Sequence, residues 1–564
     1  MVLSTRRLAS LLVAASLCHG VPVSVVLGPP ANPGSRGAVV SEASECSHIG
    51  RDLLARGGNA ADAVVGTTFC IGVVAMYHSG IGGGGFALVR DADGGYDAVD
   101  FRETAPAAAH QDMFLGNVAG SMSGGLAVAV PGEVRGLEYI HRRYGSLPWE
   151  TVLQGAIRVA RDGFRVSSDL ASKMSEKKRP YLRQDASFAI DFAPNGTLLG
   201  EGDLMTRKRY ARTLERIAQE GSGAFYGGEV AEAMVKQVQA TNGTMTVDDL
   251  EHYTILSRPV QRVRYRGLDL YSVGAPASGV VGLNILKVAE QYVPGDADAG
   301  LEAHRFVEAM RFGYGARARL ADPDFIPGVK ALEERLLDER YVRQVRRHID
   351  DNRTLPVRDY DPTIHQYAPE SHGTSHVVTA DAAGMAVSLT TTINLMFGAH
   401  LMEPQSGIVL NNEMNDFSIP GSPNDFGFPP STANYIAPQK RPLSSIAPII
   451  ASHPNGSLYA VVGAAGGSRI ISATVAALWH LVEHGASMTD ALRRPRMHDQ
   501  LMPNVLLLEY AFDNVTAAAL ASRGHNISRV GEGLSAVQGI RKRPDGSFEA
   551  AGEPRQRNSR GFAI

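Results

Sequence analysis

Ser371-His372-Gly373-Thr374-Ser375-His376 leads without a break into Val377-Val378-Thr379-Ala380, a turn at Asp381-Ala382-Ala383-Gly384, and a second alternating stretch from Met385 to Thr392. Two runs of period-two alternation flanking a turn read as an antiparallel hairpin. Pairing the arms symmetrically about Ala383 sets Thr374 opposite Thr392, so two hydroxyls meet at the open end. Cross-strand Thr pairs are ordinary sheet stabilisers. A Thr hydroxyl is also a nucleophile when a base lies within reach, and a Thr whose own α-amine is freed by chain cleavage carries that base with it. Gly373 keeps a Cβ away from the bond such cleavage would break.

Downstream, Leu458 to Val462, Gly463 to Gly467 and Ser468 to Val482 read as strand, glycine loop and helix. Upstream, His48 to Met76 reads as two helices broken at Gly57-Gly58. Helical spacing recurs at Leu214 to Gln219, Glu229 to Val238 and Ala303 to Ala318, and Arg262 to Val273 reads as a strand. A strand-rich C-terminal part joined to a helix-rich N-terminal part predicts a layered α/β (α+β) fold. Gly80 to Phe86, G-I-G-G-G-G-F, matches G-x-G-x-x-G formally, with Asp100 and Glu103 where a ribose-binding acid would lie. The order of elements is the reverse of a dinucleotide fingerprint, because a helix precedes the glycines and the strand Phe86-Ala87-Leu88-Val89 follows them. The string therefore reads as a close-packed connection or as a loop lining a site.

The chain has 564 residues, enough for three or four average domains. Its 55 Lys+Arg against 58 Asp+Glu exclude a polybasic nucleic-acid tail and an acidic solvating domain. Arg6 and Arg7 precede an apolar run from Leu8 to Cys18, broken at His19, Gly20 and Pro22. This predicts a secretory signal over residues 1–20, with an uncleaved anchor as the rival reading, and an extracytoplasmic location in either case. N-x-S/T sequons at Asn195, Asn242, Asn352, Asn455, Asn514 and Asn526 fit that compartment. Once Cys18 leaves with the signal, Cys46 and Cys70 are the two remaining cysteines. In an oxidising compartment they are expected to pair, stapling two antiparallel helices.

G-x-S-x-G, H-E-x-x-H, paired C-x-x-C and Walker motifs are all missing, so neither an α/β-hydrolase elbow nor a standard metal or nucleotide site is expected, and no cofactor is called for. What is present is G-T-S-H, T-T-T-I-N (Thr390 to Asn394), N-N-E-M-N-D-F (Asn411 to Phe417), R-P-L-S-S (Arg441 to Ser445) and G-A-A-G-G-S (Gly463 to Ser468). Upstream stand F-R-E-T-A-P (Phe101 to Pro106) and V-P-G-E (Val130 to Glu133), and downstream R-R-P-R-M-H (Arg493 to His498). Together these closely resemble the γ-glutamyltranspeptidase (glutathione hydrolase) family of N-terminal nucleophile hydrolases, over essentially the whole mature chain.

The resemblance implies a four-layer αββα sandwich and a precursor that cuts itself before Thr374. The products would be a heavy chain, 21–373, and a light chain, 374–564, that stay together as a heterodimer. Thr374 would attack the γ-glutamyl amide of glutathione or its S-conjugates and pass the acyl group to amino acids, dipeptides or water, with Thr392 beside it. A zwitterionic donor needs a cation and hydroxyls for its α-carboxylate and carboxylates for its α-ammonium. Arg102, Ser444 and Ser445 suit the first, Glu413 and Asp416 the second, and Asn394 either. Without the resemblance, Arg102 with Glu103 would read as a surface ion pair. Gly466 and Gly467 ahead of a helix could direct backbone N–H groups at a tetrahedral oxyanion.

Three positions depart from the vertebrate pattern: His372 before the scissile Gly, Met396 in place of a Tyr, and the lid-like Pro423-Asn424-Asp425-Phe426-Gly427, whose aromatic lacks a hydroxyl. The rival readings are a relative narrowed to leukotriene or other glutathione conjugates, a cephalosporin-acylase-like amidase, and an uncleaved, inactive paralogue acting as a secreted or surface binding protein.

Overall fold

A computed structural model describes residues 34–175, 177–360, 373–422 and 430–564. The N-terminal apolar segment with Cys18, Ser371-His372 and the lid-like 423–427 lie outside the described residues.

The hairpin forms as read, with arms Gly373–Asp381 and Ala386–Asn394. Their register runs from Ala386 opposite Ala380 to Thr391 opposite Ser375. A bulge then advances the pairing so that Asn394, not Ile393, faces Gly373. Gly384, at φ +90°, closes the turn, and Asn394, at φ +70°, adopts the left-handed conformation that Asn tolerates better than most residues.

The hairpin is the middle of a seven-stranded antiparallel sheet, ordered Arg560–Ala563, Gly37–Ser41, Gly373–Asp381, Ala386–Asn394, Gly84–Arg90, Tyr96–Phe101, Leu256–Arg258. Facing it is a six-stranded antiparallel sheet, ordered Phe548–Ala551, Ala536–Lys542, Leu458–Ala465, Ile449–Ser452, Leu268–Val273, Val260–Tyr265. Each sheet mixes strands from before and after Thr374, so the two parts of the chain share one core rather than forming separate domains.

The period-two alternation decides which residues enter which layer. Val378 and Ala380 join the apolar core between the sheets, whereas Val377, Val387 and Leu389 join the core beneath the helices. His376 points between the sheets, its Nδ1 2.8 Å from Thr390 Oγ1 and its Nε2 3.1 Å from Ser388 Oγ. Burial pushes its pKa down to about 3, so it is neutral. Gly463 on the facing strand leaves room for it: a Cβ there would sit 2.3 Å from the imidazole.

Helices Ser44–Ala55 and Ala60–Val74 cover the outside of the first sheet, joined by a Cys46–Cys70 disulfide. Asn59 caps the second of them, accepting from Ala61 N and Asp62 N while Asp62 reaches back to the Asn59 amide. Helices Gly279–Ala289 and Ile470–Glu483 lie on the second sheet, with Ala299–Arg317 packed outside the former. The layers therefore run helix, sheet, sheet, helix, as expected.

One expected strand is corrected. Arg262 to Val273 is a hairpin of Val260–Tyr265 and Leu268–Val273, turned by Arg266 (φ +47°) and Gly267 (φ +81°). Arg is an unusual residue for such a turn, and its presence masked the break.

Candidate active site

Because 374, 376, 378 and 380 share a face, Thr374 looks into the mouth of the space between the sheets. It lines one cavity with Arg102, Thr392, Glu413, Asp416, Ser444, Ser445 and Gly467. Residues scattered over almost 370 positions are thus brought to one place. Thr392 Oγ1 accepts from Asn394 N at 2.7 Å and donates to the carbonyl of Gly373 at 2.5 Å. That carbonyl belongs to the Gly373–Thr374 bond. A Cβ on Gly373 would lie 2.3 Å from Asn394 O and 3.1 Å from the Cβ of His78, so only glycine fits without displacing backbone.

The glycine string at 80–85 is a close-approach device beneath this hairpin. Strand Gly84–Arg90 pairs with Ala386–Asn394, and a Cβ at Gly83 or Gly85 would come within 2.0 Å of the Thr392 or Thr390 carbonyl.

Arg102 follows directly on strand Tyr96–Phe101 and is only 1% exposed. It donates to Asp416 at 2.5 Å, pairs closely with Glu413 and lies 3.9 Å from Glu103. The surface ion pair that Arg102 and Glu103 alone would suggest is therefore a buried cluster. Burial disfavours the guanidinium, but the three carboxylates outweigh it and hold the pKa above its ordinary value, so it stays charged. Burial pushes Glu413 up despite Arg102, with Glu103 and Asp416 adding to the shift, and it pushes Glu103 up to about 7. The cluster offers one permanent cation and an excess of carboxylate, the complement of a zwitterion.

Asn411 and Asn412 set the Glu413–Asp416 turn in place, a role the residue pattern did not disclose although both open the N-N-E motif. Asn411 Oδ1 accepts from Ala129 N and Glu413 N, and its Nδ2 donates to the carbonyls of Gly82 and Ala129. Asn412 Oδ1 accepts from Leu395 N, while Asn394 Nδ2 donates to the Asn412 carbonyl at 3.0 Å. Asn394 braces the turn in this way.

Gly467 and Ser468 form cavity wall at the start of the helical segment leading into Ile470–Glu483. Gly466 sits one residue back, packed toward Leu534 and Ser535. Arg317 also lines the cavity, and helical periodicity gave no sign of it. Its Nε donates to Ser278 Oγ, which donates to the Ser444 carbonyl, fixing the Ser444-Ser445 loop.

The odd-numbered face anchors the strands. Ser375 donates to Glu42, which lies 3.0 Å from His78 Nε2 and accepts from Gln556 Nε2. Thr391 donates to buried Glu133, whose pKa burial raises to about 8. Met396 packs against the apolar core under the helices.

The fold matches that of a cephalosporin acylase from Bacillus halodurans with a TM-score of 0.81, over 96% of this chain and 99% of that one at 24% identity. By architecture the chain therefore shares that protein's fold. The Gamma-glutamyltranspeptidase family model matches residues 46–562. The chain is 50% identical over 550 residues to a glutathione hydrolase proenzyme of Arthroderma benhamiae, covering 94% of this chain and 93% of that one. It is 45% identical over 553 residues to a glutathione hydrolase of Aspergillus flavus, covering 96% and 92%. The chain belongs to the γ-glutamyltranspeptidase family and is an enzyme of that family.

Proposed function

We propose that the chain cuts itself between Gly373 and Thr374 and then acts on glutathione and its S-conjugates as a hydrolase and γ-glutamyl transferase. The observation that carries this reading is the Thr392 hydroxyl on the Gly373 carbonyl, beside Thr374 and at the edge of a cavity holding Arg102, Glu413 and Asp416. In maturation, Thr374 Oγ attacks the Gly373 carbonyl carbon while the Thr392 O–H donates to its oxygen. The C–N bond breaks, the nitrogen takes up a proton, and water hydrolyses the resulting ester, leaving a Gly373 carboxylate and a free Thr374 amine and hydroxyl.

In turnover, the freed amine is the general base for Thr374 Oγ. Arg102 exchanges carboxylate partners to take the donor's α-carboxylate, with Ser444 and Ser445 as hydroxyl donors. Glu413 and Asp416, released from Arg102, take the α-ammonium. The Gly467 amide faces the oxyanion. A γ-glutamyl ester forms, the amine leaves, and water or an amino acid takes the acyl group. This pairing of one cation with carboxylates favours a free α-amino acid donor over the substrate of an acylase.

Cleavage yields a heavy chain, 21–373, and a light chain, 374–564, held together by the shared sheets. The protein is secreted or tethered outside the cell by its N-terminal segment. All six sequon asparagines are solvent-exposed, which suits N-glycosylation. Expression of wild type and Thr374→Ala tests the reading. Wild type should give two bands, the smaller beginning Thr-Ser-His-Val, and release aniline from a γ-glutamyl anilide. Full activity in the variant would overturn it.

A further inference from the structure

His304 and Glu308 stand four residues apart on helix Ala299–Arg317, hence on one face. His525 reaches the same point from just beyond helix Asn514–Ser522, which packs against that helix. All three are buried, at 0%, 0% and 5% exposure, and a ligand atom from each lies within 4.8 Å of the other two. His304 Nδ1 is 2.8 Å from His525 Nε2, which is 3.8 Å from Glu308 Oε1. We propose that His304, Glu308 and His525 form a binding site for a divalent transition-metal ion of the zinc class.

The groups around the trio orient it for this task. His304 Nε2 lies 2.9 Å from the Asp350 carbonyl, which can only accept, so Nε2 carries the proton and Nδ1 turns its lone pair to the cluster. A backbone carbonyl on the far nitrogen is a common outer-shell partner of a metal-bound histidine. Glu308 is aimed by Thr354, whose hydroxyl donates to Oε1 at 2.8 Å, and by Tyr360, whose hydroxyl donates to Oε2 at 2.5 Å. The plain alternative is a histidine-to-histidine hydrogen bond. It leaves the buried carboxylate 4.0 Å from the nearest guanidinium, that of Arg311, which is already held by Asp499 at 2.8 Å. A dication between the three would give that carboxylate a direct cationic partner.

Two imidazoles and one carboxylate are donors that zinc accepts readily, whereas calcium and magnesium prefer all-oxygen shells. Two bonds of about 2.0–2.1 Å at a tetrahedral angle need their nitrogens roughly 3.3 Å apart. The observed 2.8 Å must therefore open by about half an ångström, within reach of side-chain adjustment. Two of the ligands precede Thr374 and one follows it. If the chain is cut as proposed above, the ion bridges the two products, which the Cys46–Cys70 disulfide does not.

The full-length protein is stripped with a chelator and titrated with Co2+, followed by visible d–d absorption, and with Zn2+ by competition. Wild type should bind one equivalent. His525→Gln and Glu308→Gln, each losing a ligand where loss of an outer-shell partner alone costs about 10–100-fold, should bind at least that much more weakly, while Thr374→Ala should bind as wild type does. Zinc should raise the wild-type Tm by roughly 2–4 °C and leave γ-glutamyl anilide hydrolysis unchanged. No d–d bands in wild type at saturating Co2+, or undiminished affinity in both variants, would overturn the site. The wild-type titration decides even if the variants misfold. A wild-type chain that stays uncut yet binds Co2+ refutes the cleavage reading and leaves the metal site standing.

Discussion

Replacing Thr392 by Val keeps the side chain's shape and removes the hydroxyl that donates to the carbonyl of the Gly373–Thr374 bond, the bond proposed above to be cut. Two separable losses follow. The Asn394 N–H, now given to Thr392 Oγ1 at 2.7 Å within a buried bulge, loses its partner, which costs about 1–3 kcal/mol of stability. The Gly373 carbonyl, 2.5 Å from the same hydroxyl, loses the donor that would meet the oxyanion as Thr374 attacks. Removing one preorganised oxyanion donor typically slows a reaction about 10²–10³-fold. Thr392→Ser retains the hydroxyl and should stay within about tenfold of wild type, or 1.4 kcal/mol. The assay is conversion of the full-length band into two on a denaturing gel over time, with N-terminal sequencing of the smaller and a thermal melt of the uncut chain. If Thr392→Val matured within twofold of wild type, or Thr392→Ser were slowed as severely, the Thr392 hydroxyl would not be polarising that carbonyl.

Arg102→Lys keeps the buried charge but loses the guanidinium fork, so KM for a γ-glutamyl anilide should rise about 10–100-fold; an unchanged KM would exclude Arg102 from carboxylate recognition. Burial holds the Glu133 carboxyl at about 8 against its ordinary 4.5, so between those values only the unfolded chain ionises there. Stability should then fall with rising pH through that window, by up to about 1.4 kcal/mol per unit. Glu133→Gln should flatten the Tm decline between pH 5 and pH 8, and equal slopes would refute the assignment. Gly463→Ala drives a Cβ to 2.3 Å from His376 Cε1 and Nε2, which should cost about 1–3 kcal/mol in chemical denaturation. His376→Ala should relieve part of that cost, whereas strict additivity of the two changes would mean that they do not meet. Cys46→Ser with Cys70→Ser should lose about 2–4 kcal/mol. On non-reducing gels the wild-type heavy and light chains should still separate, and a single combined band would contradict a bridge confined to residues 46–70.

The hairpin and its register were legible because a period of two leaves little freedom once a turn is placed: the symmetric pairing about Ala383 holds from Ala386 to Thr391. The bulge beyond Thr391 was not legible, since it depends on Asn394 taking a positive φ while the 411–412 segment packs against it. Gly57-Gly58 marked a helix boundary, and the Cys46–Cys70 pair followed from counting cysteines. Arg262 to Val273 hid a turn because Arg266 stands where Asn or Asp would have signalled one. Arg317 and Ser468 reach the cavity through long-range packing, and no local pattern separates them from neighbours such as Arg319 or Ser472. Glu42 and His78 were equally silent, because they matter through Ser375, more than 290 positions away.

The two faces of one strand also explain why cleavage and folding have to be ordered in time. Thr374 and Thr392 face the cavity, while Ser375 and Thr391, one position along each arm, are fastened to Glu42 and Glu133 from the N-terminal part. Gly373–Asp381 lies between Gly37–Ser41 and Ala386–Asn394, so the strand bearing the nucleophile is completed on one side by residues far upstream. If Thr374 is the nucleophile proposed above, it reaches the Gly373 carbonyl only after strands from both ends of the chain have assembled around it. The same assembly buries the ends that cleavage would separate, so the broken backbone is held by sheet hydrogen bonds and a common core. Cutting before folding would turn a search within one chain into an encounter of two. The proposed chemistry therefore has the complete sandwich as its precondition, and the sandwich forms at lower entropic cost from an intact chain.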